Sequence, residues 1–148
     1  MKAIIAVNNL GFIGIGNEML WKSKEDFQHF RSMTTQLSEH GNEIPVMLVG
    51  NTTAQGMPPL KGRKLIVVSK QSKTNKQFWS PENALNNSIN NIDWIIGGKS
   101  IYEQTCHLWT ELHISHINDN SIGDVVFPDL TKLNKNCKIF NYYFETIK

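Results

Sequence analysis

Four short apolar runs, Ala3–Val7, Val46–Val49, Leu65–Val68 and Trp94–Ile96, constrain this chain more than any other feature. They are near-continuous in Ile, Val, Leu and Met rather than alternating with polar residues. Such runs suit strands buried on both faces of a parallel sheet. Parallel neighbours need crossover connections, and helical stretches lie between the runs. The first helix is expected from Lys24 to about Gln36. The second opens at Ser80-Pro81, a capping serine followed by proline at the first helical position. The third starts at Ser100, whose spacing to Glu103 fits a capping box. Leu112–Ile117 and the tail "CKIFNYYFETIK" read as strands that could pair antiparallel, with "GDVVFPD" between them. The expectation is a single α/β domain over residues 1–148. It has one mostly parallel central sheet of about eight strands, an antiparallel C-terminal edge and about four flanking helices.

Charge and cysteine content exclude several function classes. The formal net charge of +2 is too small to argue for nucleic acid or an anionic membrane, and Lys and Arg form no run. Cys106 and Cys137 are isolated, which fits reduced thiols in a cytoplasmic protein better than a disulfide scaffold. No segment approaches the length of a membrane span. A monomer without nucleic-acid or membrane partners is expected.

The generic motifs fail. "GFIGIG" has its glycines in the wrong order for G-x-G-x-x-G, and "GGKS" would need a P-loop glycine where Asp93 stands. His113 and His116, three apart on a strand, point to opposite faces and make no metal pair, so no metal is expected.

One aspartate stands out. In "LWKSKEDFQHF", Asp26, Phe30 and Met33 follow at i, i+4 and i+7 on one side of the first helix, with Phe27 and Leu37 widening the stripe. A carboxylate beside aromatic side chains is costly without a partner. Ser23 and Asp26 also have capping-box spacing, a purely structural use for the same residue.

Four segments, in order, carry more information than any of them alone. They are "IGIGNEMLWKSKEDFQHF", "VMLVGNTT…PPLKGRKLIVVSK", "DWIIGGKSIYEQ" and "HISHINDNSIGDVVFPD", over about residues 3 to 129. Together they resemble the dihydrofolate reductase family. The resemblance implies that family's fold, with an adenosine-binding subdomain at about 37–92. It also implies an oxidoreductase acting on a CH–NH group, of a family that antifolates target, which reduces 7,8-dihydrofolate to tetrahydrofolate with NADPH for one-carbon metabolism and thymidylate synthesis.

By the same resemblance, Asp26, Trp21 and Ser115 are the catalytic group. Asp26 accepts the 2-amino/N3 edge of the pterin in a two-pronged hydrogen bond and promotes protonation of N5. Ile5, Phe27, Phe30, Met57 and Leu60 wall the substrate, and Arg63 forks onto the carboxylate of its glutamate tail. For the cofactor, Ala6, Ile13 and Tyr102 surround the nicotinamide, and Gly97 and Gly98 approach the pyrophosphate, with Thr53 adding a donor. Gly14, Gly50, Asn51, Thr52, Ile96, Lys99, Ser100 and Ile101 complete the cofactor contacts. Ser69 and Lys70 reach the adenosine 2′-phosphate, Met19 lies on the loop that closes the site, and Asp124 steadies that loop. Leu20, Asn51 and Ser100 depart from the family pattern, which has proline at the first position and can be basic at the other two.

Two rivals share the scaffold: a pyrimidine reductase of riboflavin synthesis and a catalytically silent pterin-binding module. Arg63 and the W-x4-D-x3-F arrangement disfavour the first, because its substrate has no glutamate tail.

Overall fold

The structure, a computed structural model, describes residues 1–14, 20–58, 60–68, 78–79 and 91–146. In chain order the elements are β1 (Lys2–Asn8), β2 (Phe12–Gly14), α1 (Lys24–Thr34), β3 (Val46–Gly50), α2 (Asn51–Gln55) and β4 (Lys64–Val68). There follow β5 (Phe78–Trp79), β6 (Trp94–Ile95), α3 (Lys99–Thr105), β7 (Glu111–Asn118), β8 (Val125–Val126) and β9 (Lys138–Glu145). A 3-10 turn at Cys106–Leu108 extends α3. The helix expected at Ser80-Pro81 lies outside the described residues.

Seven strands form one sheet in the order β5-β4-β3-β6-β1-β7-β9, and β2 pairs with β8 in a separate sheet. The buried runs are the inner strands, as their composition requires. Their alternate side chains enter two cores. Ala3, Ile5, Leu48, Ile95 and Leu112 pack with Ile101, Tyr102 and Trp109 on the α3 face. Ile4, Met47, Val49, Trp94 and Ile96 pack with Phe30, Met33 and Met57 on the face bearing α1 and α2. No helix among the described residues is long and apolar enough to cross a membrane.

The mostly parallel α/β class is as expected, but its C-terminal edge is not antiparallel. β9 runs parallel to β7, from Glu111 opposite Lys138 to Asn118 opposite Glu145. The antiparallel pairing occurs instead between β2 and β8. A parallel return needs a connection of about a dozen residues or more, and the segment 119–137 supplies it. On the way it lends β8 to β2 and passes the end of α3, where the Asn134 N–H donates to Cys106 O at 3.2 Å.

Helix starts explain two further details. Ser23 caps α1, its Oγ accepting from the Asp26 N–H at 3.2 Å. The Ser100–Glu103 box is not made. α3 begins at Lys99 after Gly98, so Ser100 already sits in the first turn and cannot cap it. Its Oγ accepts from Gln104 Nε2 at 2.8 Å, while Glu103 Oε2 accepts from the Asp129 N–H at 2.6 Å. Buried Asp93 binds the loop before β3 to the sheet, accepting from Ser38 Oγ at 2.8 Å and from the Val46 N–H at 2.8 Å.

Candidate active site

The carboxyl ends of β1, β3, β6 and β7 open into one cleft of about 760 Å³, closed on its other side by α1, α2 and α3. Parallel sheets place ligand sites at this end because the strand-to-helix turns converge there. Ala6 on β1 stands opposite Ser115 on β7. The Gly50 N–H donates to Gly97 O at 2.7 Å, fastening the turn after β3 to the turn after β6.

At the floor of the cleft lies Asp26, only 6% exposed. The cap at Ser23 uses its backbone N–H and leaves the carboxyl unspent, so the residue serves both readings of its spacing. Burial pushes the carboxyl pKa above the ordinary range, and Ser115 beside it pulls the other way. Their approach falls short of a formed hydrogen bond, because the buried Ser115 Oγ has no partner among the described residues. Trp21 is 5% exposed, and its Nε1 is likewise unpaired. An unmade buried hydrogen bond costs about 1–3 kcal/mol, so both atoms mark places where a polar ligand edge completes the site. Opposite them the Tyr102 hydroxyl donates to Ile4 O at 2.7 Å. Burial, and then the charge of Asp26, raise its pKa, so the phenol keeps its proton.

Phe27 and Phe30 line the mouth with Met57 and Leu60. Phe27 is 48% exposed and presents an apolar face at the mouth of the cleft. Arg63 is not part of the lining but flanks it, with its guanidinium 5.9 Å from the centre of the Phe30 ring. Its Nη1 donates to Thr34 Oγ1 at 3.0 Å and its Nε to Lys61 O at 3.0 Å. No carboxylate pairs with it among the described residues. Partial burial and then neighbouring Arg31 lower its pKa, as fits a cationic rim awaiting an anion.

The other arm of the cleft is a backbone cradle. Gly97 has φ +117, and a Cβ there would meet the Tyr102 hydroxyl at 3.2 Å. A Cβ on Gly98 would lie 2.8 Å from Thr53 Oγ1. The space beside both backbones stays open only because the residues are glycine, and the Thr53 hydroxyl faces into it. A dinucleotide pyrophosphate needs close backbone approach with amide and hydroxyl donors, and this cradle fits it.

The structure gathers most of the expected residues. Asp26, Trp21, Ser115, Ile5, Phe27, Phe30, Met57 and Leu60 line the cleft. So do Ala6, Ile13, Gly14, Gly50, Asn51, Thr52, Thr53 and the run from Ile96 to Tyr102. Arg63 stands at the rim. Met19, Ser69 and Lys70 lie outside the described residues. Gly14 O accepts from the Asp124 N–H at 3.2 Å, holding β2 to the segment before β8. Leu20, in the place of proline, packs against Gly123, where an added Cβ would come within 2.6 Å of Leu20 Cδ1. Sequence reasoning missed Ile4, Gly56, Pro58, Val68 and Val125, which also line the cleft, and Thr34, which orients Arg63. Thr34 follows Phe30 at i+4, a spacing that could have revealed it.

Comparison with known proteins identifies the family. The family model described as dihydrofolate reductase matches residues 1–141. The chain is 28% identical over 152 residues to a dihydrofolate reductase of Buchnera aphidicola, an alignment covering 97% of this chain and 86% of that one. It is 31% identical over 137 residues to dihydrofolate reductase type 1 of Escherichia coli, covering 88% and 82%. Over 127 residues it is 32% identical to the dihydrofolate reductase of Neisseria gonorrhoeae, covering 81% and 74%.

Proposed function

The chain belongs to the dihydrofolate reductase family, and on that premise we propose how its own residues serve the reaction. The reaction is the NADPH-dependent reduction of 7,8-dihydrofolate to 5,6,7,8-tetrahydrofolate, a step of folate and one-carbon metabolism. When bound, the nicotinamide supplies the hydride. Asp26 accepts the 2-amino/N3 edge of the pterin and supports proton delivery to N5. The observation that carries this role is a buried carboxyl at the cleft floor beside Ser115, left free by the helix cap and with its pKa raised by burial. A carboxyl that titrates nearer neutrality holds a proton when the reaction needs one. Ser115 and Trp21 offer their unpaired polar atoms to the same end of the ligand.

Met57 and Leu60 flank the aminobenzoyl part, and Arg63 takes the carboxylate of the tail. Gly97, Gly98 and Thr53 receive the pyrophosphate of NADPH, and Ala6, Ile13 and Tyr102 exclude water around the nicotinamide. Met19 covers the site, while Ser69 and Lys70 bind the 2′-phosphate within an adenosine-binding subdomain at about 37–92. The two free cysteines support a cytoplasmic location.

The decisive measurement is oxidation of NADPH by the purified protein with dihydrofolate, with and without an antifolate. Turnover that the antifolate stops and that Asp26→Asn reduces by about 10²-fold or more is expected. An Asp26→Asn enzyme as active as its parent would return Asp26 to a helix-capping role alone.

A further inference from the structure

The first helix is fastened at its start by one buried hydroxyl. Ser23 is 1% exposed. Its Oγ accepts from the Asp26 N–H at 3.2 Å and donates to Glu145 O, at the end of β9, at 2.7 Å. A serine hydroxyl can do both at once because it carries one proton and two lone pairs. The two bonds form a chain from Asp26 N–H through Ser23 to the Glu145 carbonyl, each polarising the next. β9 lies directly beside β7, which carries Ser115. The same hydroxyl thus registers the backbone of Asp26 against the sheet edge that supports Ser115. Farther along α1, His29 lies 4.1 Å from the Tyr142 ring and 5.3 Å from Phe144, so the helix meets β9 at two heights.

We propose that Ser23 is a positioning residue for the reaction: by linking the Asp26 backbone to Glu145 of β9, it holds the Asp26 carboxyl in its dry setting at the cleft floor. This rests on the role given to Asp26 above. Without the hydroxyl, Asp26 N–H and Glu145 O both lose a partner in a poorly hydrated place, and the first turn of α1 is free to shift. Water then reaches the carboxyl, and its desolvation weakens. A less desolvated carboxyl titrates at lower pH. Among the described residues, Tyr102 of α3 feels the charge of Asp26. His29, His113 and Tyr142 pack with one another between α1, β7 and β9. The Glu145 carboxylate is turned to Asn118 Nδ2 at 2.9 Å. None of these groups is removed by changing Ser23.

The test compares the parent with Ser23→Ala, Ser23→Gly and Ser23→Thr, each as full-length protein. The pH profile of kcat and the amount of folded enzyme are measured for all four. Ser23→Ala is expected to lower kcat near neutral pH roughly five- to tenfold, the scale of one lost hydrogen bond, and to move the falling limb of the profile to lower pH. Ser23→Gly is better tolerated than alanine at a helix cap and has no side chain to donate to β9. It is expected to show the same shift, and it carries the test if Ser23→Ala does not fold. Ser23→Thr retains the hydroxyl and is expected to restore the parent profile. A profile unmoved in Ser23→Ala, or in Ser23→Gly where Ser23→Ala is unfolded, overturns the proposal. So does a shift that Ser23→Thr fails to reverse. The underlying role of Asp26 fails separately: it falls if Asp26→Asn leaves the parent profile intact, whatever Ser23 does.

Discussion

Asp26 was legible at the level of a single residue, but its meaning was not. Helical spacing put it among aromatic side chains, and the same spacing fitted a cap. Only the folded geometry separates the two uses, because the cap takes the backbone N–H and leaves the carboxyl to the cleft. That separation has a thermodynamic consequence. Burial raises the carboxyl pKa from its ordinary 3.8, so above that value the native state binds more protons than the unfolded chain. Stability contributed by this group is present in acid and is lost as pH rises through the native pKa. Asp26→Asn removes the charge that folding opposes. It should therefore raise Tm near neutral pH while removing most activity, and the gain in Tm should shrink as the pH falls towards the ordinary carboxylate range. Thermal denaturation across pH checks this, and a Tm below the parent's near neutrality would show that the carboxylate is paired rather than merely desolvated.

At the scale of elements, the strand-to-helix turns were read correctly as places and less well as chemistry. "IIGGKS" announced a tight turn after a buried strand, and β6, Gly97-Gly98 and α3 follow in that order. The capping box at Ser100 is not made because Gly98 is the N-cap and the helix starts two residues earlier, a shift that spacing rules do not resolve. What matters at this turn is a contact from another element: Thr53 Oγ1 would lie 2.8 Å from a Cβ on Gly98. Gly98→Ala should raise the KM for NADPH by about tenfold or more while the KM for dihydrofolate changes far less. Adding Thr53→Ala, which removes the obstructing hydroxyl, should restore the fold around the turn but not the donor. Steady-state kinetics with each substrate varied separately distinguish these outcomes. Equal rises in both KM values would mean that the whole cleft is distorted.

Arg63 is the corresponding case on the substrate side. The loop that carries it is oriented by the last turn of α1, through Thr34. Lysine can keep the charge but cannot both hold Thr34 and fork onto a carboxylate. Arg63→Lys should raise the KM for dihydrofolate about tenfold, roughly 1.4 kcal/mol, with kcat nearly unchanged, because the contact is far from the reacting atoms. A substrate lacking the glutamate tail should bind parent and variant alike.

For the whole molecule, the direction of β9 is what the sequence could not convey. Alternation has a period of two and no sense of direction, so a parallel and an antiparallel tail strand bury the same side chains. The alternation in "NYYF" puts Tyr142 and Phe144 on one face and leaves open which way the strand runs. Once placed parallel to β7, β9 builds a stack of rings against α1. His113 lies 4.8 Å from Phe140, stacked with ring planes nearly parallel at 9°, and His29 packs on Tyr142 and Phe144. His113 Nε2 is 3.0 Å from Glu111 Oε1, and its Nδ1 is 3.0 Å from the Tyr142 hydroxyl. Glu111, when ionised, can only accept. The neutral ring therefore carries its proton on Nε2 and accepts from Tyr142 at Nδ1. Burial lowers both histidine pKa values below 6.5, outweighing the opposing pull of Glu111 on His113.

The sign is opposite to that of Asp26. As pH falls below 6.5 the unfolded chain takes up protons that the native stack resists, so stability drops towards acid. His29 adds a second cost, since its buried Nε2 has no partner among the described residues. His29→Phe keeps the ring contacts and removes both the unpaired nitrogen and one resisted proton. It should raise Tm at all pH values, by more at about pH 5.5 than at about pH 7.5. His113→Phe should instead lower Tm near neutrality, because it strips the Tyr142 hydroxyl and Glu111 of their shared partner. Melting curves of both variants at the two pH values decide the matter. An equal offset for His29→Phe at both would show that the histidine stays neutral through this range and that only packing changed.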